Sequence, residues 1–153
     1  MKIYRLERST LLHTDLDTAW KYFSAPSNLN EITPNDMEFT ILSPDAHKPM
    51  YQGMVIEYRI QPFPLVSFRW LTEITHCSDK KFFVDEQRFG PYSFWHHQHH
   101  FEETPQGLMM TDIVHYALPL GPLGQLAHAL FVRKKLKHIF DYRAQCMNKI
   151  FPS

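Results

Sequence analysis

Alternation of apolar and polar residues over more than half of the chain constrains its fold more than any other feature of the sequence. From residue 36 to 119 the alternation has a period of two, and short connections containing Pro, Gly, Asp or Ser divide it into segments. The segment GMVIEYRI, for example, places Ile56 and Tyr58 on one face and Val55 and Glu57 on the other. Connections this short join antiparallel strands, because parallel strands need longer crossovers. The stretch therefore predicts about six consecutive antiparallel strands.

Helical periodicity flanks this stretch. After a first predicted strand over residues 2–13, Thr14 or Asp15 can cap a short helix that Pro26 ends. From Leu123 to the C-terminus, apolar residues at helical spacing predict an amphipathic helix roughly 40 Å long. An antiparallel sheet has one face to cover, and a helix of this length can cover it. We expect the apolar stripe of the helix to contain Leu126, Leu130, Phe131, Ile139, Phe140, Met147 and Ile150.

Length and composition agree with a single domain over residues 1–153. Sixteen Lys and Arg balance sixteen Asp and Glu, whereas a nucleic-acid-binding domain is normally strongly basic. The two cysteines, Cys77 and Cys146, lie far apart, so we expect neither a disulfide framework nor a structural zinc site. The sequence shows no signal peptide and no apolar run that could span a bilayer. We therefore expect a cytoplasmic monomer or weak homodimer, with no nucleic-acid partner and no stable membrane insertion.

Three segments carry a resemblance to a known family: "FSAPSNLNEITP" (23–34), "FVDEQRFGPYSFWHHQHHFE" (83–102) and "TDIVHYALPLGPLG" (111–124). With the order of the predicted elements, they resemble the SRPBCC superfamily, whose START-like proteins have the helix-grip fold. The resemblance is greatest to bacterial ligand-binding and polyketide cyclase/dehydrase-like members. It implies an α+β helix-grip fold, in which a curved antiparallel sheet of about seven strands wraps on a long C-terminal helix and a short helical segment lies near the N-terminus. It also implies a hydrophobic cavity between sheet and helix.

The segment WHHQHH, residues 95–100, lies in one predicted strand, so its side chains alternate between two faces. His97 and His99 share a face with Trp95 and Phe101, and this face is expected to point inward. His96 and His100 are expected on the solvated face. A hairpin with its connection at residues 104–107, which we favour, brings His99 opposite Asp112, His97 opposite Val114 and Trp95 opposite Tyr116. A connection of three or five residues would instead turn Met109, Thr111 and Ile113 inward.

Three interpretations of this polar set remain open. His97, His99 and Asp112 can form a hydrogen-bonded pocket wall that orients a ligand, because buried polar groups need partners. They can also perform acid–base chemistry, with Asp112 orienting His99. Finally, the HxH pair can bind a metal if Asp112, Asp85 or Glu73 supplies a third ligand. We adopt the first interpretation, assign no metal and no cofactor, and expect Asp85 on a solvated edge because Asp is rarely buried.

The predicted function is the binding of a small hydrophobic or amphipathic molecule in the cavity. Tyr58, Trp70, Trp95, Phe101 and Tyr116 would supply apolar surface, while His97, His99 and Asp112 would read a polar group of the ligand. One alternative is a cofactor-free cyclase or dehydratase that uses the same polar set, in which case catalysis would follow the ionisation of an imidazole. Another is a protein-interaction module whose cavity is packed shut.

Overall fold

The computed structural model describes all residues, Met1–Ser153, as one antiparallel sheet with helices on one of its faces. The sheet has seven strands in the order β1-β7-β6-β5-β4-β3-β2. From β3 onward each strand pairs with the one before it, and β1 pairs with β7 at the edge opposite β2. This architecture confirms the predicted α+β fold. The strands are β1 (Tyr4–Leu12), β2 (Thr40–Ile41), β3 (Val55–Phe63), β4 (Val66–Ser78), β5 (Phe82–Phe89), β6 (Phe94–Thr104) and β7 (Gly107–Ala117).

The β6–β7 hairpin has the register that the sequence predicts. Thr104 pairs with Gly107 at the turn, and the pairing continues so that His99 lies opposite Asp112. Because side chains alternate along a strand, this register turns the odd-numbered residues of β6 and the even-numbered residues of β7 toward the helices.

Helix α1 (Leu16–Phe23) begins where the sequence predicts. Asp15 caps it, since its side-chain oxygen accepts a 2.8 Å hydrogen bond from the backbone N–H of Thr18. The helix ends before Pro26, which starts a short 3₁₀ segment, Pro26–Ile32. Ala19 and Phe23 of α1 are buried against one end of the sheet.

The C-terminal helix runs from Gly121 to Ile150 but is not uniform. It consists of α2 (Gly121–Ala127), a π-helical turn (His128–Val132) and α3 (Arg133–Ile150). No helix in the molecule has the length and apolarity needed to cross a membrane.

The apolar stripe predicted for this helix is correct in α3 and wrong before it. Phe140 and Met147 are buried, but Leu126, Leu130 and Phe131 are 56%, 51% and 58% exposed. A π turn holds more residues than an α turn, so it rotates the buried face of α2 relative to that of α3. In the first part of the helix the buried residues are therefore Gly124 and His128.

Buried apolar side chains form three clusters between the sheet and the helices. The first lies under α1 and includes Leu12 and Phe101, the second lies under α3 and includes Val114 and Phe140, and the third lies on β3 and β4 around Ile56. A cavity lies between these clusters.

Candidate functional site

A cavity of about 380 Å³ lies between the inner face of the sheet and the C-terminal helix. Hydrophobic residues make up 26 of the 39 residues that line it, and its volume falls within the range of small-molecule sites. The lining includes the exposed side chains of Phe63, Leu120 and Leu123, so the cavity reaches the surface.

Five of the eight residues that the sequence assigns to the site line this cavity: Tyr58, Trp70, Trp95, His97 and His99. They lie on β3, β4 and β6, and all point to the helical side of the sheet. Their part in binding a ligand stays a prediction.

The other three residues lie on the same side of the sheet but outside the cavity wall. Phe101 packs under α1, where its ring meets that of Trp20 edge-on at 5.5 Å. The hydroxyl of Tyr116 forms a 2.9 Å hydrogen bond with Nε2 of His128 beneath the C-terminal helix. Asp112 lies behind the two histidines and is 2% exposed. Strand alternation places all three inward, but the helices that cover them decide what they contact.

One largely buried group, the polar cluster, consists of His97, His99, Asp85 and Asp112, and all of these except Asp112 line the cavity. Nε2 of His97 lies 2.8 Å from Oδ1 of Asp112, and Nε2 of His99 lies 2.7 Å from Oδ2 of Asp85; both contacts are hydrogen bonds. The centroids of the two imidazole rings are 3.7 Å apart. The backbone register sets His99 opposite Asp112, yet the hydrogen bond to Asp112 comes from the diagonal neighbour, His97.

The expectation that Asp85 lies on a solvated edge is wrong. Asp85 pairs with His97 across β5 and β6, lines the cavity and has a side chain that is 18% exposed. Phe83 shares its face and is buried. The alternation within β5 could not show this, because both faces of that strand carry apolar and charged residues. Pairing β5 with β6 across the Gly90 turn, in the same way as β6 is paired with β7, could have shown that Asp85 faces inward.

In the polar cluster, burial and the two carboxylates have opposite effects on the pKa values of the imidazoles. Burial disfavours the charged form of both imidazoles. At His99, Asp112 and Asp85 outweigh burial and raise its pKa, whereas at His97 burial and the adjacent His99 prevail and lower its pKa. Burial also opposes ionisation of Asp85 and Asp112, but the imidazoles reverse this and lower the pKa of both carboxyl groups.

Arg143 is a cavity residue that sequence reasoning missed. It lies on α3, and its guanidinium carbon is 5.1 Å from the centroid of the Phe140 ring. Its buried Nε has no hydrogen-bond partner, and the guanidinium makes no ion pair with the protein. A signal was present in the sequence: Arg143 follows Phe140 by three residues and therefore lies on the buried side of α3.

One set of side chains has the spacing needed to hold a metal ion: Asp85, His97 and His99, whose potential ligand atoms all lie within 4.8 Å of one another. Glu73, which the sequence also offered as a third ligand, does not belong to this set. It forms a 2.5 Å hydrogen-bonded ion pair with Arg88 on the exposed side of the sheet.

No protein-family model and no curated protein matches the chain. Solved structures do match it over nearly its full length. Protein Ms6760 from Mycobacterium smegmatis aligns with a TM-score of 0.66 at 12% identity and covers 98% of both chains.

Two plant proteins align almost as completely. A point mutant of norcoclaurine synthase from Thalictrum flavum, solved with a transition-state analogue, has a TM-score of 0.66 at 11% identity over 97% of this chain and 96% of its own. Major latex-like protein 151 from Panax ginseng has a TM-score of 0.58 at 15% identity over 89% of this chain and 96% of its own. Likeness at such identity concerns the fold alone, and it shows that this chain shares the helix-grip fold of these structures.

Proposed function

We propose that this protein binds a small amphipathic molecule, with the apolar part of the ligand in the cavity and an anionic group beside Arg143. The cavity is the observation that carries the proposal. Protein interiors are normally close-packed, so a gap of about 380 Å³ lined mainly by hydrophobic side chains is a feature that a ligand would explain.

Aromatic side chains offer the apolar contact surface. Trp70 and Trp95 meet edge-on with their ring centroids 5.1 Å apart, and Tyr58 lies across β3 and β4 from Trp70. Such rings provide a large, rigid surface for an apolar ligand and lose little conformational entropy when they bind it. They belong to the set predicted from the sequence.

Arg143 gives the ligand its expected charge. A guanidinium is costly to keep in an apolar wall without a hydrogen-bond acceptor, and its fork of N–H groups matches a carboxylate or similar anion. Burial raises the pKa of Tyr58 and the carboxylate of Asp85 adds to this effect, whereas Thr72 and the positive charge of Arg143 oppose it. Arg143 and Asp85 make no ion pair, so both charges face the cavity and can contact different parts of one ligand.

The first test is native mass spectrometry of gently purified protein, compared with its denatured mass. An organic adduct would support the proposal and give the mass of the ligand. In parallel, the neutral fluorophore N-phenyl-1-naphthylamine is titrated into the protein. Saturable binding of one probe per chain, with quenching of the tryptophan fluorescence, is the expected result because Trp70 and Trp95 line the cavity.

A matched pair of variants assigns that binding to the cavity. Ile60 is buried and lines the cavity, whereas Arg59 beside it on β3 is exposed. Ile60→Trp should fill the cavity and weaken probe binding at least tenfold, while Arg59→Trp should leave it unchanged. Equal binding by both variants, or a bare mass with no saturable probe binding by the wild type, would refute the proposal.

A second candidate function is catalysis at the polar cluster. Two imidazole–carboxylate hydrogen bonds face an apolar cavity, which is an arrangement that can move protons. Deuterium uptake at the α-carbon of a bound hydrophobic ketone would report it. Uptake that the wild type accelerates and His99→Ala does not would support catalysis, and uptake equal to the rate in buffer would exclude it for that ketone.

A further inference from the structure

Three potential ligand atoms of the polar cluster converge on one point. Nδ1 of His97 and Nε2 of His99 lie 3.4 Å and 2.7 Å from Oδ2 of Asp85. A tetrahedral ion bound to nitrogen and oxygen at ~2.0–2.1 Å holds its ligand atoms about 3.3 Å apart. The first distance is already close to this value, and the second needs to open by roughly 0.6 Å, which a small side-chain rotation can provide.

Hydrogen bonding within the protein leaves part of the polar cluster unsatisfied, although Nε2 of His99 is hydrogen-bonded to Asp85. Nε2 of His97 is engaged with Asp112, so in a neutral ring Nδ1 points a lone pair toward the carboxylate of Asp85. Nδ1 of His99 is buried without a hydrogen-bond partner, although Oδ1 of Asp112 is only 3.1 Å away. Whichever nitrogen of a neutral His99 carries the proton, the other points its lone pair at a carboxylate. The arrangement therefore calls for a cation, which is either an additional proton or a metal ion.

Asp112 occupies the place of an outer carboxylate in a histidine–metal site. Its Oδ1 lies 2.8 Å from Nε2 of His97 and 3.1 Å from Nδ1 of His99, on the side of each ring away from Asp85. A carboxylate in this position accepts a hydrogen bond from the free N–H of a metal-bound imidazole, fixes the tautomer of the ring and raises its basicity. Asp85, His97 and His99 line the cavity and Asp112 does not, so a coordination position left open would face the cavity.

The charges of the polar cluster also favour a metal ion. Two carboxylates, of which Asp112 is buried and Asp85 is partly buried, are neutralised by one divalent cation, whereas a single added proton leaves an excess of negative charge beside an apolar cavity. Two histidines and one carboxylate are also the ligand set of catalytic zinc and non-haem iron sites, both of which keep an open position.

We infer that Asp85, His97 and His99 bind one divalent first-row transition ion, such as Zn²⁺, with Asp112 holding the imidazoles from behind and an open coordination position facing the cavity. This inference replaces the expectation from the sequence that the site holds no metal. It goes beyond the proposed function and does not depend on it, since the ion can bind whether or not an organic ligand occupies the cavity.

The test uses the full-length protein, stripped with a chelator and titrated with Zn²⁺ against a chromophoric competitor. We expect one Zn²⁺ per chain with a dissociation constant on the order of micromolar or tighter. His97→Ala and His99→Ala should each weaken binding at least tenfold, and Asp112→Asn should weaken it about 10- to 100-fold. The matched control is the double variant His96→Ala/His100→Ala, which removes two histidines from the opposite face of the same strand and should change the affinity less than twofold.

Two further readouts keep the outcome clear if an alanine variant folds poorly. Asp85→Asn conserves side-chain volume and should lower the affinity while circular dichroism stays unchanged. Co²⁺ should give the visible absorption bands of a four- or five-coordinate ion in the wild type and in the control, but not in Asp85→Asn. Absence of stoichiometric Zn²⁺ binding by the wild type, or binding that survives in Asp85→Asn and disappears in the His96/His100 control, would overturn the inference.

Discussion

Replacing Arg143 with methionine isolates the charge that the proposed function assigns to the ligand. Methionine keeps most of the side-chain length and the packing on Phe140, whose ring lies 5.1 Å from the guanidinium carbon, but removes the charge and the N–H donors. Arg143→Lys keeps the charge and loses the fork-shaped set of donors. The two variants therefore separate charge from hydrogen-bond geometry.

The expected effect follows from the environment of the guanidinium. At an effective dielectric constant of about 20, opposite charges about 4 Å apart attract by ~4 kcal/mol, and desolvation of the anion removes part of this. A hydrogen bond to a charged group typically retains ~1.5–3 kcal/mol. Since ~1.4 kcal/mol corresponds to a tenfold change, Arg143→Met should weaken the binding of an anionic ligand about 10- to 100-fold.

The assay uses two probes with the same aromatic body. 1-Anilinonaphthalene-8-sulfonate carries an anionic group, and N-phenyl-1-naphthylamine lacks it. Arg143→Met should lose affinity for the anionic probe, change its affinity for the neutral probe less than twofold, and keep the circular dichroism of the wild type; Arg143→Lys should lie between. Equal losses for both probes would show that Arg143 only packs, and unchanged affinity for the anionic probe would refute an anion site.

Two predictions concern stability. Leu136→Ala should lower the free energy of unfolding, measured in urea, by ~2–5 kcal/mol because Leu136 is 4% exposed. Leu130 lies on the same C-terminal helix but is 51% exposed, so Leu130→Ala should change this free energy by less than ~0.5 kcal/mol. A large loss of stability in Leu130→Ala would contradict the described orientation of the helix. Burial lowers the pKa of His128, and the positive charge of Arg133 adds to this effect. As the pH falls below about 6.5, the unfolded chain therefore binds a proton at His128 before the folded protein does, and the free energy of unfolding should decrease. His128→Gln should make this decrease shallower in urea denaturation at several pH values, and identical slopes would contradict the reasoning.

Several features of this protein follow from local sequence patterns. Strand periodicity assigns His97, His99 and Asp112 to the inner face, because a one-residue slip would bury the polar set of His96 and His100 instead. The short turn around Gly107 sets the register that brings His99 opposite Asp112. The fold class follows in the same way, since a long alternating stretch beside one amphipathic helix has few ways to bury its apolar face.

Only the tertiary structure decided how the polar cluster is built and which residues of the C-terminal helix are exposed or line the cavity. Asp85 joins the histidines because β5 pairs with β6, and alternation within β5 alone does not say which of its faces is covered. Leu126 and Leu130 are exposed because a π turn changes the helical phase, which an ideal period of 3.6 residues does not contain. Arg143 lines the cavity because of where α3 crosses the sheet.

The division between what the sequence determines and what only the tertiary structure determines has a physical reason. Side-chain alternation and helical period are properties of a single segment, so neighbouring residues determine them. A site is formed by side chains from several segments, and the distances between those side chains depend on strand pairing and helix placement, which the whole core determines together. The sequence by itself therefore determined which faces of β6 and β7 turn inward, while the tertiary structure determined that two histidines and two aspartates meet at one point beside the cavity.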